Sequence, residues 1–521
     1  MLRSKSLDPD YLLPPIEELL ASGGDSRIRL NNAGVNKYGC PPFPEPDALM
    51  YGSSTASTIS PAGFEAALRC RRRLENAARR EPPSVTYARE MDRVRREIIN
   101  LCGLSGGAHE SPEIVFGDSG TTLHLLTAQL LSEAHTPLTI IMPEEPETGS
   151  GVKAALEGRS FSACTPHGGP AIFGGKIVED SANNSAVEIL PMTLRLPDGG
   201  LRPISRIDSE TEAFVEQAVD KGNRVLAILT DVSKTGEVFP SPACCVMLRR
   251  RFPENVDILV DACQFRISNA TLRSYLESGF MVAMTGSKFV AGPAYCAALL
   301  VPRSIAMRVS PRSLPPAFGA YSARADWPES WPGCSSLSNG ANYGLLLRFE
   351  AALVEWRAFH SLSEEKIFDF LHEFGIAAQK RLSDSDAFEP LARSCLSRRP
   401  TACGDGWDSL PTIFPFILRN PKSGEYLGAE SADRIYELMK RDLSQHPEIP
   451  ISMRQAAHWR CYLGQPVECG SRNGIPVSAP RLNIDMRLIA DALSPNGRGR
   501  EAAIAGALCA LDKAEILAKI L

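Results

Sequence analysis

Between residues 113 and 301 the chain alternates short apolar runs with helix-sized segments. The runs cover residues 113–116, 138–142, 187–190, 225–229, 256–260, 280–284 and 295–301, and they are rich in Val, Ile and Leu. Runs this short and apolar throughout belong to strands covered on both faces, and the lengths between them suit crossover helices. The pattern predicts an α/β core built on a mostly parallel seven-stranded sheet. Ahead of it, helical periodicity over 61–80 and 88–104 carries charge on one side. Residues 30–60, rich in Gly, Pro, Asn and Ser, predict an irregular segment laid over a surface or into a cleft. Behind the sheet come helical patterns over 342–360 and 363–381, a strand-like stretch 412–418 and a helix-like stretch 431–443. Another strand-like stretch, 474–484, precedes two C-terminal helices, and these elements read as a smaller α+β domain. The expected division is therefore an irregular segment 1–60 lining the cleft, a large domain 61–340, and a linking helix with the small domain over 341–521.

The composition narrows the function classes. The 521 residues are 44% hydrophobic and 22% charged, with 56 Lys+Arg against 61 Asp+Glu and a net charge of −5. This ordinary globular balance offers no field for nucleic acid or anionic lipid, so the expected partner is a small molecule. Arg69, Arg71, Arg72, Arg73, Arg79 and Arg80 cluster in one helical pattern, but Glu65, Glu75 and Glu81 interleave with them, as on a solvated face. The fourteen cysteines are scattered and none stands in a C-x-x-C pair, which suits buried thiols in a reducing compartment. The start of the chain has no apolar signal region and no run approaches membrane-spanning length, so a cytoplasmic location is expected.

Several chemical signals fail on their context. Gly117-Asp118-Ser119-Gly120 has the look of a protease nucleophile loop, yet it follows a buried strand, opens onto a helix and lacks G-x-S-x-G. There is no H-E-x-x-H, and Thr285-Gly286-Ser287-Lys288 lacks the preceding glycine of a triphosphate loop. Together, however, these fragments suit a pyridoxal-phosphate site, which needs a lysine for the aldehyde, an acid beside the pyridine nitrogen and donors for a phosphate. Lys288 follows an apolar run at a sheet's carboxyl edge, where ligands of open α/β sheets sit, although taken alone it reads as a surface lysine after a strand. Asp261 closes the preceding run and can keep the ring nitrogen protonated. Gln264 is either a donor to the ring oxygen or a helix-start amide. Gly120, Thr121 and Thr122 open a helix whose N-terminus favours an anion, with Thr285 and Ser287 adding hydroxyls; a plain helix cap is the other reading of the two threonines.

The order Ser119-Gly120-Thr121-Thr122, Asp231-Val232-Ser233-Lys234-Thr235-Gly236, Val260-Asp261-Ala262-Cys263-Gln264 and Thr285-Gly286-Ser287-Lys288 resembles fold-type I pyridoxal-phosphate enzymes. The resemblance is to the class V aminotransferase and cysteine desulfurase group, and it covers residues 88–302. It implies Lys288 as the Schiff-base lysine and proton shuttle, Asp261 on the pyridine nitrogen, and Gln264 and Ser233 near the ring oxygen. It also implies Gly120, Thr121, Thr122, Thr285 and Ser287 on the phosphate, and Arg481 on the substrate carboxylate. Where desulfurases set a histidine against the ring, this chain has Glu147-Thr148-Gly149-Ser150, so Thr148 is the candidate there. No cysteine falls in a matching sulfur-acceptor loop, Cys334 being the nearest, which speaks against desulfuration. Asn36 and Tyr38 are candidate cleft residues, Arg324, Trp327 and Trp331 a candidate lid, and Ser338, Asn339 or Asn342 candidates for a group lent across a homodimer. The implied activity is transamination, or elimination and replacement at the β- or γ-carbon of an amino acid. Decarboxylation, carbon–carbon bond formation and a noncatalytic binding role on the same scaffold are the alternatives.

Overall fold

A computed structural model describes residues 12–106, 111–178, 186–402 and 406–521. Its strands in chain order are β1 (Leu49–Tyr51), β2 (Glu113–Gly117), β3 (Leu138–Pro143), β4 (Val187–Met192), β5 (Arg224–Asp231), β6 (Val238–Phe239) and β7 (Val256–Ala262). They continue with β8 (Met281–Thr285), β9 (Ala297–Val301), β10 (Phe388–Pro390), β11 (Ile413–Leu418), β12 (Cys461–Arg472) and β13 (Ile475–Asn483).

The main sheet has the order β2-β9-β8-β7-β5-β3-β4, and the short β6 pairs with β5. Strands β4, β3, β5, β7 and β8 pair in parallel, whereas β9 runs antiparallel to both of its neighbours. Each of the seven expected apolar runs has become one of these strands. Every position of β7, β8 and β9 is buried, because helices cover both faces and leave no solvated side to be polar. The two-residue period sorts the side chains between two cores. Val282 and Met284 of β8 join one cluster, and Met281 and Ala283 join the other.

A second sheet, β1-β12-β13-β11-β10, draws on both ends of the chain. Its β1 pairs in parallel with β12 through Leu49 opposite Cys461 and Tyr51 opposite Leu463. Part of the segment expected to be irregular is thus an edge strand of the C-terminal sheet. That pairing carries residues 52–55 past the end of the main sheet, where Ser54 and Thr55 reach the principal cavity.

The helix Tyr343–His360 begins at Asn342, whose side chain accepts the Leu345 N–H at 3.0 Å while its amide donates to the Gly23 carbonyl. That double use makes Asn342 a structural cap. Arg348 in this helix is fully buried and donates to the carbonyls of Leu20, Ser22, Gly23 and Tyr295. One guanidinium thereby ties the N-terminal segment to the loop after Lys288. No helix among the described residues is long and apolar enough to cross a membrane.

Replacing Arg348 by Met removes these four bonds, and of the four carbonyls Gly23 keeps the donor it has from Asn342. A loss of about 3 kcal/mol in urea unfolding is expected, with faster proteolysis ahead of residue 30. A variant as stable and as protease-resistant as the parent would contradict the tethering role.

Candidate functional site

The carboxyl ends of β2, β5, β7 and β8 open onto a cavity of about 570 Å³. Lys288, Asp261, Gln264, Gly120, Thr121, Thr148, Thr285, Ser287, Arg481 and Tyr38 all line it. These ten residues come from six stretches of sequence, from Tyr38 to Arg481, and share one cavity. Parallel strands put the loops after their carboxyl ends on one side of the sheet, which is why the motifs meet there.

Asp261 sits at the end of β7, one residue before the strand's last position, and its carboxylate accepts the Cys263 N–H at 3.1 Å. His124 faces it, with Nε2 3.4 Å from the carboxylate, an ion-pair separation rather than an aligned hydrogen bond. Four residues along the helix Gly120–Leu131 from Gly120, His124 sets Nδ1 2.8 Å from that residue's carbonyl. Nδ1 then donates to the carbonyl and the proton-bearing imidazolium turns its other nitrogen to Asp261. Burial raises the pKa of Asp261, but the charge and hydrogen-bonding of His124, the Cys263 side chain and the charge of Lys288 outweigh it, and the carboxyl is held far below its ordinary range. For His124, burial disfavours the cation and Asp261 reverses the sign, so its pKa is raised. The result is a buried carboxylate kept ionised.

The start of the helix Gly120–Leu131 lines the same cavity. The Ser119 hydroxyl accepts the Thr122 N–H at 3.2 Å and caps the helix. The N–H groups of Gly120 and Thr121 have no acceptor within the helix, as at any helix start. A Cβ on Gly120 would lie 2.5 Å from Cys263 Sγ, so glycine is what allows this helix end to dock beside Asp261. Arg27 reaches in from the N-terminal segment, 3.4 Å from Ser119 Oγ and 3.5 Å from Thr121 Oγ1, and is ion-paired with the buried Asp25. Ser287 also lines the cavity, whereas Thr285 donates its proton to the Cys263 carbonyl at 2.7 Å. Gln264 spends one amide hydrogen on the Ser54 carbonyl at 3.0 Å, and the other has no acceptor among the described residues.

Three of the residues named from sequence are held away from the cavity. Thr122 is fully buried and donates its hydroxyl to Asp118. Ser233 donates to the buried Glu147 at 2.6 Å, joining Thr235 and Arg195 around that carboxylate. Asn36 accepts the N–H groups of Tyr38 and Cys40 and shapes its own loop. The expected lid is also absent from the rim. Trp327 and Trp331 are buried against each other, 5.6 Å between ring centroids, and Arg324 donates to the carbonyls of Trp327, Pro328 and Glu329. Cys334 is buried in the same cluster, and desolvation pushes its thiol up to about 12, so it supplies no thiolate at neutral pH.

Three cavity residues were not singled out in the sequence. His124 stands alone in an apolar helix and looks like a core histidine. Arg27 is some ninety residues from its neighbours at the helix start. Lys234 lies inside the Asp231–Gly236 motif, in which the resemblance points to its neighbour Ser233.

No family model and no curated protein matches the chain. Solved structures do match. The cysteine desulfurase CsdA of Escherichia coli aligns with a TM-score of 0.50 at 12% identity, over 90% of this chain and 94% of that one. The cystine C-S lyase C-DES, in complex with its reaction product cysteine persulfide, gives 0.52 at 15% identity over 90% and 98%. An SPT variant with PLP gives 0.51 at 10% identity over 91% and 89%. The chain therefore has the fold-type I α/β architecture that the motif order implied.

The His124–Asp261 pair has a pH signature. Because the folded His124 pKa is raised, its contribution is complete below the ordinary value of 6.5 and is lost as pH rises through the folded value. Asp261, with a lowered pKa, contributes above its ordinary 3.8 and loses that contribution only in strong acid. The stability difference between wild type and His124→Gln should therefore be larger at about pH 5.5 than at about pH 9 in urea unfolding. An equal or larger difference at the alkaline end would contradict the pairing.

Proposed function

We propose that the protein is a pyridoxal-phosphate-dependent enzyme, a transferase or lyase acting on an amino-acid substrate. The supporting observation is the convergence, in one cavity, of Lys288, an Asp261 held ionised by His124, and a helix start furnished with Arg27. These residues fit the cofactor's three needs. A lysine follows a strand end, a buried carboxylate carries charge, and backbone N–H groups, a guanidinium and a serine hydroxyl gather where a dianion would be favoured.

Bound there, pyridoxal phosphate supplies an electron sink for the pair released at the substrate's α-carbon. Lys288 would hold the aldehyde and, once displaced by the substrate amine, move the proton at that carbon. Asp261 would keep a proton on the pyridine nitrogen, and His124 keeps Asp261 charged for that purpose. The N–H groups of Gly120 and Thr121, with Arg27 and Ser287, would bind the phosphate. Thr148 would cover a ring face, and the remaining Gln264 hydrogen would serve the ring oxygen. A substrate carboxylate fixed by cations in the wall favours loss of the α-proton, hence transamination or β/γ elimination and replacement, over decarboxylation. The same reading takes the protein as a cytoplasmic homodimer. In support of the compartment, the cysteines among the described residues are all free thiols.

The purified protein mixed with pyridoxal phosphate should turn yellow, and borohydride reduction followed by peptide mapping should place the adduct on Lys288. Lys288→Ala should give no adduct and no turnover of any amino acid that shifts the wild-type spectrum. A colourless protein, or an adduct mapped elsewhere, would overturn the reading.

A further inference from the structure

Lys234 is one of three lysines that line the cavity, with Lys37 and Lys288. It follows β5, in a loop fixed at three points on Glu147. The Lys234 N–H donates to the Glu147 carbonyl at 3.2 Å, and the Ser233 and Thr235 hydroxyls donate to its carboxylate. The backbone is pinned, yet the Lys234 ammonium makes no hydrogen bond or ion pair among the described residues. Glu147 and Glu468 are the carboxylates that act on it, and Arg481 and Lys288 the cations. Glu147 is already committed to Ser233, Thr235 and Arg195. Burial first, then the two cations, push the Lys234 pKa down to about 8, the mark of a charge without a counter-ion.

Arg481, the residue assigned to the substrate carboxylate by resemblance, is spent differently. The Gln465 carbonyl accepts from Nε at 3.0 Å and from Nη2 at 2.6 Å. Thr55 Oγ1 accepts from Nη2 at 2.9 Å, and the Lys234 carbonyl accepts from Nη1 at 3.2 Å. Of five N–H groups one remains, on Nη1. A bidentate grip on a carboxylate needs two parallel N–H groups on one edge of the guanidinium, and no edge has both free. A lysine ammonium has three donors, and those of Lys234 are unspent.

Resting on the function proposed above, we infer that Lys234 takes the carboxylate of the amino-acid substrate. Arg481 is then a positioning residue: through the Lys234 carbonyl, Gln465 and Thr55 it binds the Lys234 loop to β12 and the N-terminal segment.

Two oxyamines test this without knowledge of the natural substrate. Aminooxyacetate carries a carboxylate and O-methylhydroxylamine does not. With either, the oxyamine nitrogen replaces the Lys288 nitrogen on the cofactor's aldehyde carbon and frees the lysine amine, a change followed by absorbance. The quantity read is the ratio of the two second-order rate constants in the holoenzyme. In Lys234→Met the ratio should fall about tenfold or more, the size of a lost charge-assisted hydrogen bond, with the O-methylhydroxylamine rate unchanged. Lys234→Arg should recover most of the ratio, and Arg481→Lys should lower it less than Lys234→Met does. An unchanged ratio in Lys234→Met, a parallel fall of both rates, or a larger loss in Arg481→Lys would overturn the assignment. If the wild-type protein takes up no cofactor, neither probe gives a signal, and it is the proposed function that fails, taking this inference with it.

Discussion

A carboxylate removed from water keeps its charge only where a cation or hydrogen-bond donors stabilise it, and Asp261 meets that condition chiefly through His124. The constraint reaches well beyond the pair. It fixes the rotation of the helix Gly120–Leu131 about its axis, because only one face carries the imidazole to the end of β7. With that rotation set, the helix start lines the cavity, where Arg27 reaches Ser119 and Thr121 and Ser287 joins the wall. The ionised carboxylate and the helix start are thus two parts of one packing arrangement. Gly120 is its steric condition, since any side chain there would strike Cys263.

The N-terminal segment completes the wall from outside the main sheet. Its β1 joins the C-terminal sheet beside β12, Arg348 gathers the carbonyls of Leu20, Ser22 and Gly23, and Arg27 enters the cavity between these anchors. Arg481 then links Thr55 of this segment with Gln465 of β12 and the loop of Lys234. The cavity is consequently assembled from both sheets, and the residues facing a ligand are held by backbone carbonyls as much as by side chains.

The main sheet was legible because strands covered on both faces must be apolar throughout, and seven such runs stand out. Lys288 and Asp261 were legible because each follows or ends such a run. The longest strand of the second sheet was not, because β12 reads Cys-Tyr-Leu-Gly-Gln-Pro-Val-Glu-Cys-Gly-Ser-Arg. Pro466 and two glycines break the alternation, and its pairing with β13 shifts register twice. Three-residue β1 is too short to stand out in a segment rich in Gly, Pro and Asn. Trp327 and Trp331 resembled a lid because aromatic residues in a long loop suggest a ligand, whereas here they fill a core. His124, Arg27 and the free ammonium of Lys234 depend on contacts between distant segments, to which residue spacing gives no access.

The central claim is that one cavity presents Lys288, an ionised Asp261 and the Gly120 helix start to a single pyridoxal phosphate. A crystal structure of the protein grown with that cofactor tests it most directly. The account predicts continuous density from Lys288 Nζ into a pyridine ring, with the ring nitrogen against Asp261 and the phosphate against Gly120, Thr121 and Arg27. A cofactor absent from the cavity, or one whose phosphate lies at the Asp261 end, would contradict it.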